Sequence, residues 1–258
     1  MSDVIESMIE NWFPMEVISP RDFDRWCRGI RGDVQAPAAD LVQLLDDRLA
    51  DLKTQRQNEQ HGIHRDCWER YGGDGDHVIK SVASIRSKLA RDILDAPPSE
   101  RTSLPDLQRR VHELGDLGRL RVVADFTSDV EFLLNSLLAN HLFIECYPCP
   151  KGVKDFVYDS ARRDGMKGHR ARQFSVRVPS NGMHFGFEVQ IMTRLQHAWD
   201  RRNHPLYEWQ RESPDWKDNP EAVVLAVDDF ACAEALHLVD RQADWTWTRF
   251  LQAKGKPK

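Results

Sequence analysis

No stretch of this 258-residue chain approaches the ~18 consecutive apolar side chains of a membrane-spanning helix. A basic leader is missing too: Met1 to Phe13 carries Asp3, Glu6 and Glu10 but no lysine or arginine, the wrong charge for a secretory or transit peptide. These absences predict a cytoplasmic protein with no membrane partner. Excess charge is small, 36 basic against 41 acidic side chains, so general affinity for nucleic acid is not expected, although a local basic cleft is compatible with that balance. Cysteine is scarce and odd in number. Cys27, Cys67, Cys146, Cys149 and Cys232 suit reduced thiols better than a disulfide framework. Cys146 and Cys149 form one Cys-x-x-Cys pair with no second pair at zinc spacing, which predicts two thiols ending a strand. A Walker sequence, Gly-x4-Gly-Lys-[Ser/Thr], is absent, which argues against a P-loop enzyme. So is His-Glu-x-x-His; His197 and His204 are expected to pack and hydrogen-bond instead of binding zinc.

What is present is a folded, rather polar chain, 41% apolar and 30% charged, long enough for one large domain or two small ones. Leu41, Leu44, Leu45, Leu49 and Leu52 recur at helical spacing and predict a scaffold helix over about 38–56, after Pro37. Gly72-Gly73-Asp74-Gly75-Asp76 reads as a loop whose last aspartate caps a helix from His77 to about Leu94, striped by Val78, Val82, Ile85, Leu89 and Ile93. Residues 104–114 read as a short helix. A strand follows at about 119–126, where Leu120, Val122, Ala124 and Phe126 alternate with Arg119, Arg121, Val123 and Asp125. Thr127-Ser128-Asp129 is expected to cap a helix to about Asn140, and 142–147 reads as another strand. Pro179-Ser180-Asn181-Gly182 marks a hairpin between strands at about 170–178 and 183–192. A helix from Thr193, a loop near 205–219 and a long helix from Pro220 to about Ala253 close the chain.

Three features bear on chemistry. At 100° per residue, Lys80, Ser84, Ser87, Lys88 and Arg91 share one face of their helix, either a phosphate rail beside a cleft or an ordinary solvated face. Glu188 sits mid-strand among Phe187, Val189 and Ile191, where a carboxylate needs a metal, a cation or a substrate hydroxyl, or else an arginine such as Arg170 or Arg172. Asp116 stands at the mouth of the first strand, and Lys154-Asp155-Phe156 precedes a glycine-bearing loop. Two carboxylates brought together by neighbouring strands, with lysines around them, suit magnesium-assisted phosphoryl or pyrophosphoryl transfer.

The order of these motifs resembles the synthetase domain of the RelA/SpoT family, the alarmone pyrophosphokinases, over about residues 77–207. The segment Ile79 to Lys88 looks like the family's basic ATP helix, Asp116-Leu117-Gly118-Arg119-Leu120-Arg121 its magnesium strand, and Thr127-Ser128-Asp129-Val130 the helix start after it. Gly152 to Val157 is similar to its Lys-Asp-Tyr-Ile element, and Glu188 to Thr193, with Leu195 to Trp199, is the nearest match. The resemblance implies an α+β, nucleotidyltransferase-like fold with a mixed, mostly antiparallel sheet of four to six strands flanked by helices. It further implies a synthetase core at 76–210 between helical regions at 1–75 and 211–258. The implied activity is transfer of pyrophosphate from ATP to the 3′-hydroxyl of GDP or GTP. Asp116 and Glu188 would serve as catalytic carboxylates holding Mg²⁺. ATP would bind Lys80, Ser84, Arg86, Lys88 and Lys154, and the acceptor Met166, His169, Arg170 and Gln190.

The sequence departs from the family at Val78, where an arginine is usual on the ATP helix, and at Met192, also an arginine in relatives. In Gly165-Met166-Lys167-Gly168-His169-Arg170, Met166 replaces the tyrosine expected to stack on the acceptor base and Arg170 replaces a histidine, a role open to His169. No His-Asp dipeptide occurs, so the family's hydrolase half is not expected. Two alternatives follow: a toxin-type transfer to the 3′ end of tRNA, with Lys167, Arg170 and Arg172 as a local basic patch, and an inactive nucleotide-binding or regulatory homologue. Self-association is compatible with each reading.

Overall fold

The computed structural model describes residues 20–72, 78–85, 87–88, 109–110, 112–149, 152–157, 168–212 and 214–255. Helix α1, Pro20–Glu59, is longer than its leucines alone predict. Phe23, Cys27, Ile30, Val34 and Ala38 extend the stripe to Leu41, Leu45, Leu49 and Leu52 in steps of three and four, all buried. Pro37 lies inside this helix, not before it. It has no N–H to give the carbonyl four residues back, but the Ser180 hydroxyl donates to that Asp33 oxygen at 2.7 Å. A lone proline is tolerated where another donor takes its place.

Strand β1, Trp68–Tyr71, follows, tied to α1 by the indole N–H of Trp68 donating to Leu49 O at 3.1 Å. Next come β2 (Gly118–Ala124), α2 (Thr127–Leu138) and α3 (His141–Cys146). The segment expected as a strand at 142–147 is thus helical. Asn140 accepts from Phe143 N at 2.8 Å, which caps the turn, and Phe143 and Tyr147 bury together at a spacing of four. Cys146 therefore ends a helix, and both it and Cys149 are free thiols. Helix α2 begins where predicted, but the Thr-Ser-Asp run does not cap it; Ser128 bonds Asp244, and Asp129 is buried between Arg56 and Arg65.

The remaining elements are β3 (Val153–Asp155), β4 (Arg172–Ser180), β5 (Met183–Thr193), α4 (Arg194–Glu212), a 3-10 turn (Pro214–Asp218) and α5 (Pro220–Lys254). Helix α4 runs through the expected loop at 205–212, with Pro205 inside it. Asn181 and Gly182, at φ of 50° and 75°, form the two-residue hairpin turn between β4 and β5. The Asp76 cap lies outside the described residues, as does the end of the lysine helix.

The sheet order is β1-β2-β5-β4-β3, parallel only between β2 and β5, so it is mixed and mostly antiparallel. Leu120, Val122, Phe174, Val176, Phe187, Val189 and Ile191 fill its rear face, onto which α1 and α2 pack. Partners directly across the ladder share a face. The front face therefore carries one row of Tyr71, Arg121, Gln190, Gln173 and Lys154, and a second of Arg119, Glu188 and Ser175. The chain reaches it through a close crossing: Leu117 N donates to Gly186 O at 2.8 Å, and a Cβ on Gly186 would lie 2.7 Å from Gly115 Cα. Gly186→Ala is expected to cost about 3 kcal/mol, read as a lowered urea midpoint, because backbone cannot yield as a side chain would.

Candidate active site

Lys80 reaches the front face from an extended segment, not from a helix face. Ile79 bridges to Gly118, and Lys80 N donates to Leu117 O at 2.9 Å. Ser81 then caps the turn that follows, accepting from Ser84 N at 3.2 Å, and Lys88 comes from the helical residues beyond. The two ammonium groups grip Asp116, Lys80 on one carboxylate oxygen and Lys88 on the other. Burial alone would raise the Asp116 pKa, but the charges and bonds of the two lysines outweigh it and hold the carboxyl at about 2. Burial also lowers the pKa of Lys80, against the pull of Asp116 and with the repulsion of Lys88 and Arg119.

Glu188 lies on the buried centre of the same face. Its Oε1 accepts from Arg119 Nε at 3.0 Å and Gln190 Nε2 at 2.7 Å, and its Oε2 accepts from Gln173. The arginine expected from a neighbouring strand exists, but it is Arg119, directly opposite in the parallel register of β2. Arg170 instead binds Glu234 and Val157 O, and Arg172 binds Glu131 and Asp155. Gln190 passes the network on, accepting from Arg121 Nε at 3.2 Å, and Arg121 reaches Asp200 of α4 at 2.8 Å. His169 Nδ1 bonds the other Asp200 oxygen at 2.9 Å. Burial works to raise Asp200, yet the His169 bond and the charges of Arg121 and Arg119 hold it at about 2.

The sequence-predicted residues divide accordingly. Lys80, Lys88 and Asp116 meet; Glu188 and Gln190 meet; Arg119 joins the groups electrostatically, since its charge is felt by both Lys80 and Asp200. Lys154 is exposed and shares the front-face row of Gln173 and Gln190. Ser84 is exposed and bonds Ser81 three residues back. Arg170 is buried in its pair with Glu234. Arg86 and Met166 lie outside the described residues, as does Lys167. Val78, the apolar departure noted in the sequence, is buried in the core. Sequence reasoning did not single out Arg119, Arg121, Gln173 and Asp200. Alternation in β2 already placed both arginines on one face; their pairing with Glu188 and Gln190 required the register of strands 69 residues apart.

The arrangement can bind an anion. Lys80, Lys88, Arg119, Arg121 and Lys154 face Asp116, Glu188 and Asp200, so the cations of this group exceed its carboxylates. It also predicts acid sensitivity. Asp116 and Asp200 titrate near 2 in the folded chain against 3.8 ordinarily, so their stabilisation is fully present above pH 3.8 and is lost as pH falls through about 2. Each contributes at most about 2 kcal/mol. Urea midpoints between pH 2 and 5 should fall with pH, and Asp200→Asn should flatten that fall.

No model of a known protein family matches the sequence, and no curated protein matches it. Solved structures do. The chain is similar to small alarmone synthetase 1 from Bacillus subtilis bound to its product pppGpp, with a TM-score of 0.59 and 20% identity over 88% of this chain and 98% of that one. It is similar to the same protein bound to AMPCPP, with a TM-score of 0.51 and 20% identity over 83% and 94%. It is also similar to a GTP pyrophosphokinase family protein from Streptococcus pneumoniae, with a TM-score of 0.56 and 19% identity over 84% and 95%. The chain has the α+β fold of the single-domain, RelA/SpoT-like alarmone synthetases, the architecture to which the order of sequence motifs pointed.

Proposed function

We propose that this chain is a pyrophosphokinase that transfers the β,γ-pyrophosphate of ATP to the 3′-hydroxyl of a guanine nucleotide. The observation that carries the reading is the front face itself: a carboxylate gripped by two lysines, and a buried glutamate that accepts from Arg119, whose charge also acts on Lys80, on a sheet shared with proteins crystallised with pppGpp and AMPCPP. In the reaction the acceptor oxygen bonds to the β-phosphorus, the bond from that phosphorus to the α,β-bridging oxygen breaks, and AMP leaves with the electron pair. Glu188 takes the hydroxyl proton. Lys80, Lys88 and Lys154 neutralise charge on the phosphates, and Arg119 and Gln173 hold the Glu188 carboxylate in place.

The residues present fit magnesium. Asp116 and Glu188 offer hard oxygen donors, the type used by a cation that takes one or two protein carboxylates and completes its shell with phosphate and water. Asp116 and Glu188 would hold it, and it would supply charge neutralisation at the phosphate oxygens. Binding of polyphosphate gives Lys80 and Lys88 a stronger anion than Asp116, which frees that carboxylate.

A second reading, nucleotide binding without transfer, has one observation in its favour: Arg119 already compensates Glu188, whose burial therefore requires no metal. Calorimetric binding of ATP separates the two. The transfer reading expects magnesium to strengthen ATP binding to the native chain and much less so to Glu188→Gln; equal binding with and without magnesium, or none, contradicts it.

A further inference from the structure

Helix α5 is apolar on the side that faces away from the protein. Its inner face, with Ala222, Ala226, Ala233, His237 and Asp240, is buried against the rest of the chain. A surface helix ordinarily carries charge on its other side, as α1 does with Arg25, Arg28, Asp40, Asp47 and Asp51 exposed. At the exposed positions of α5 from 224 to 243, the charged side chains are Asp228 and Arg241 alone. Of the nine large apolar side chains exposed among the described residues, seven lie on this helix: Val224, Leu225 and Val227 near its start, and Leu238, Val239, Trp245 and Phe250 beyond its middle. Leu238, about halfway along, is 64% exposed. A helix that is hydrophobic all round belongs in an interior, and an apolar surface of this extent marks a contact with something else.

The two halves of the helix differ in shape and in charge. Beside Leu238 and Val239 opens a groove of about 1020 Å³, backed by the stacked rings of Phe126, Trp247 and Phe250. The first half offers protruding apolar side chains and Asp228; the second offers the groove and Arg249, whose guanidinium carbon lies 4.8 Å from the centroid of Trp245. These halves complement each other when two such helices run antiparallel about a two-fold axis between Leu238 and Val239. That register sets Leu238 against Val239 of the second copy, Val227 against its Phe250 and Asp228 against its Arg249, and each contact occurs twice. A parallel pairing would set like charges together and groove on groove. At 1.5 Å per residue the helix is about 50 Å long, so a contact strip about 12 Å wide on each copy buries about 1,200 Å² in total, enough for a specific interface. A lipid surface fits less well. Membrane-surface helices flank their apolar face with lysines and arginines, and from Pro220 to Thr248 the one such residue is Arg241.

We propose that the outer face of α5 docks a second copy of this chain, as an antiparallel, two-fold pair of α5 helices. The apolar face supplies the driving force, and the pairing of Asp228 with Arg249 of the second copy fixes direction and register. The inner face stays with its own chain, where Glu234 pairs with Arg170 and Asp240 accepts from Thr193 Oγ1 at 2.5 Å. Substitutions on the outer face therefore leave the contacts that hold the fold in place.

The test is sedimentation velocity of the full chain from about 1 to 100 μM, with thermal unfolding by circular dichroism to check that each variant folds. Wild type should sediment at twice the 29.9 kDa mass of the chain. Leu238→Arg should raise the dissociation constant about a hundredfold or more, since it places a charge at the centre of the pair. The charge series reads the register. Asp228→Arg and Arg249→Asp should each weaken the dimer about tenfold, and the double variant should return to within about threefold of wild type. Wild type that is monomeric at every concentration overturns the inference, whether or not it binds anionic vesicles, and so does a dimer that a folded Leu238→Arg leaves unchanged. If Leu238→Arg does not fold, the charge series decides: single variants that dimerise as well as wild type, or a double variant no tighter than the singles, overturn the antiparallel pair.

Discussion

Glu188→Gln should lower pyrophosphate transfer by about a thousandfold or more and leave the fold intact, because it removes the proposed proton acceptor and a full negative charge but hardly changes shape. The surroundings allow the exchange. The glutamine oxygen can take the position of Oε1, where Arg119 and Gln190 donate. Its NH₂ would then face the Gln173 amide, which turns over to present its own oxygen in place of the donor now bonded to Oε2. A loss of activity with an unchanged thermal unfolding curve locates the effect in chemistry. A variant that keeps more than about a tenth of wild-type transfer would remove Glu188 from the proton-transfer step.

The second large effect is expected at Asp116. Asp116→Asn leaves Lys80 and Lys88 without the carboxylate that both now grip. Transfer should fall about a hundredfold or more, and the magnesium concentration for half-maximal rate should rise, since one of two hard oxygen donors is gone. Stability should fall as well, by about 1–3 kcal/mol, because Lys80 is disfavoured by burial and loses its counter-charge. Transfer measured across a magnesium series separates the two consequences. A uniform loss at every magnesium concentration would make Asp116 a brace for the lysines and not a cation ligand.

Local signals were the legible ones. The turn Asn181-Gly182 demanded positive φ at two residues, so strands β4 and β5 could be read within two residues of their ends. Period-2 alternation gave β2 and put Arg119 and Arg121 on one side. The misreadings came where a single contact, near or far, decides. Pro37 ends a helix unless Ser180, far along the chain, covers the carbonyl it strands. The apolar run at 142–147 fits a strand or a helix equally, and the side chain of Asn140 settles it. Four residues of β1 are too few for a pattern, and only their pairing with β2 reveals them.

The site divides the same way. Lys80, Lys88, Asp116 and Glu188 were visible as residue types in an order similar to a known family. Their partners were not, because Arg119 meets Glu188 only through a parallel register, and Asp200 meets Arg121 only through the path of α4 out of β5. Conversely, Arg170 sits in the acceptor motif by sequence but turns into α5, where it pairs with Glu234. Motif order identifies which residues to consider, and the sheet register determines which of them act together.

The most direct measurement is transfer itself. The folded chain is incubated with ATP labelled in its γ-phosphate, magnesium, and GDP, GTP or tRNA in turn. The expected result is label on a guanine nucleotide with one AMP released per product, dependent on magnesium and lost in Glu188→Gln. Label on tRNA alone would move the acceptor from nucleotide to nucleic acid, and no labelled product with any of the three would contradict the assignment of this face to pyrophosphate transfer.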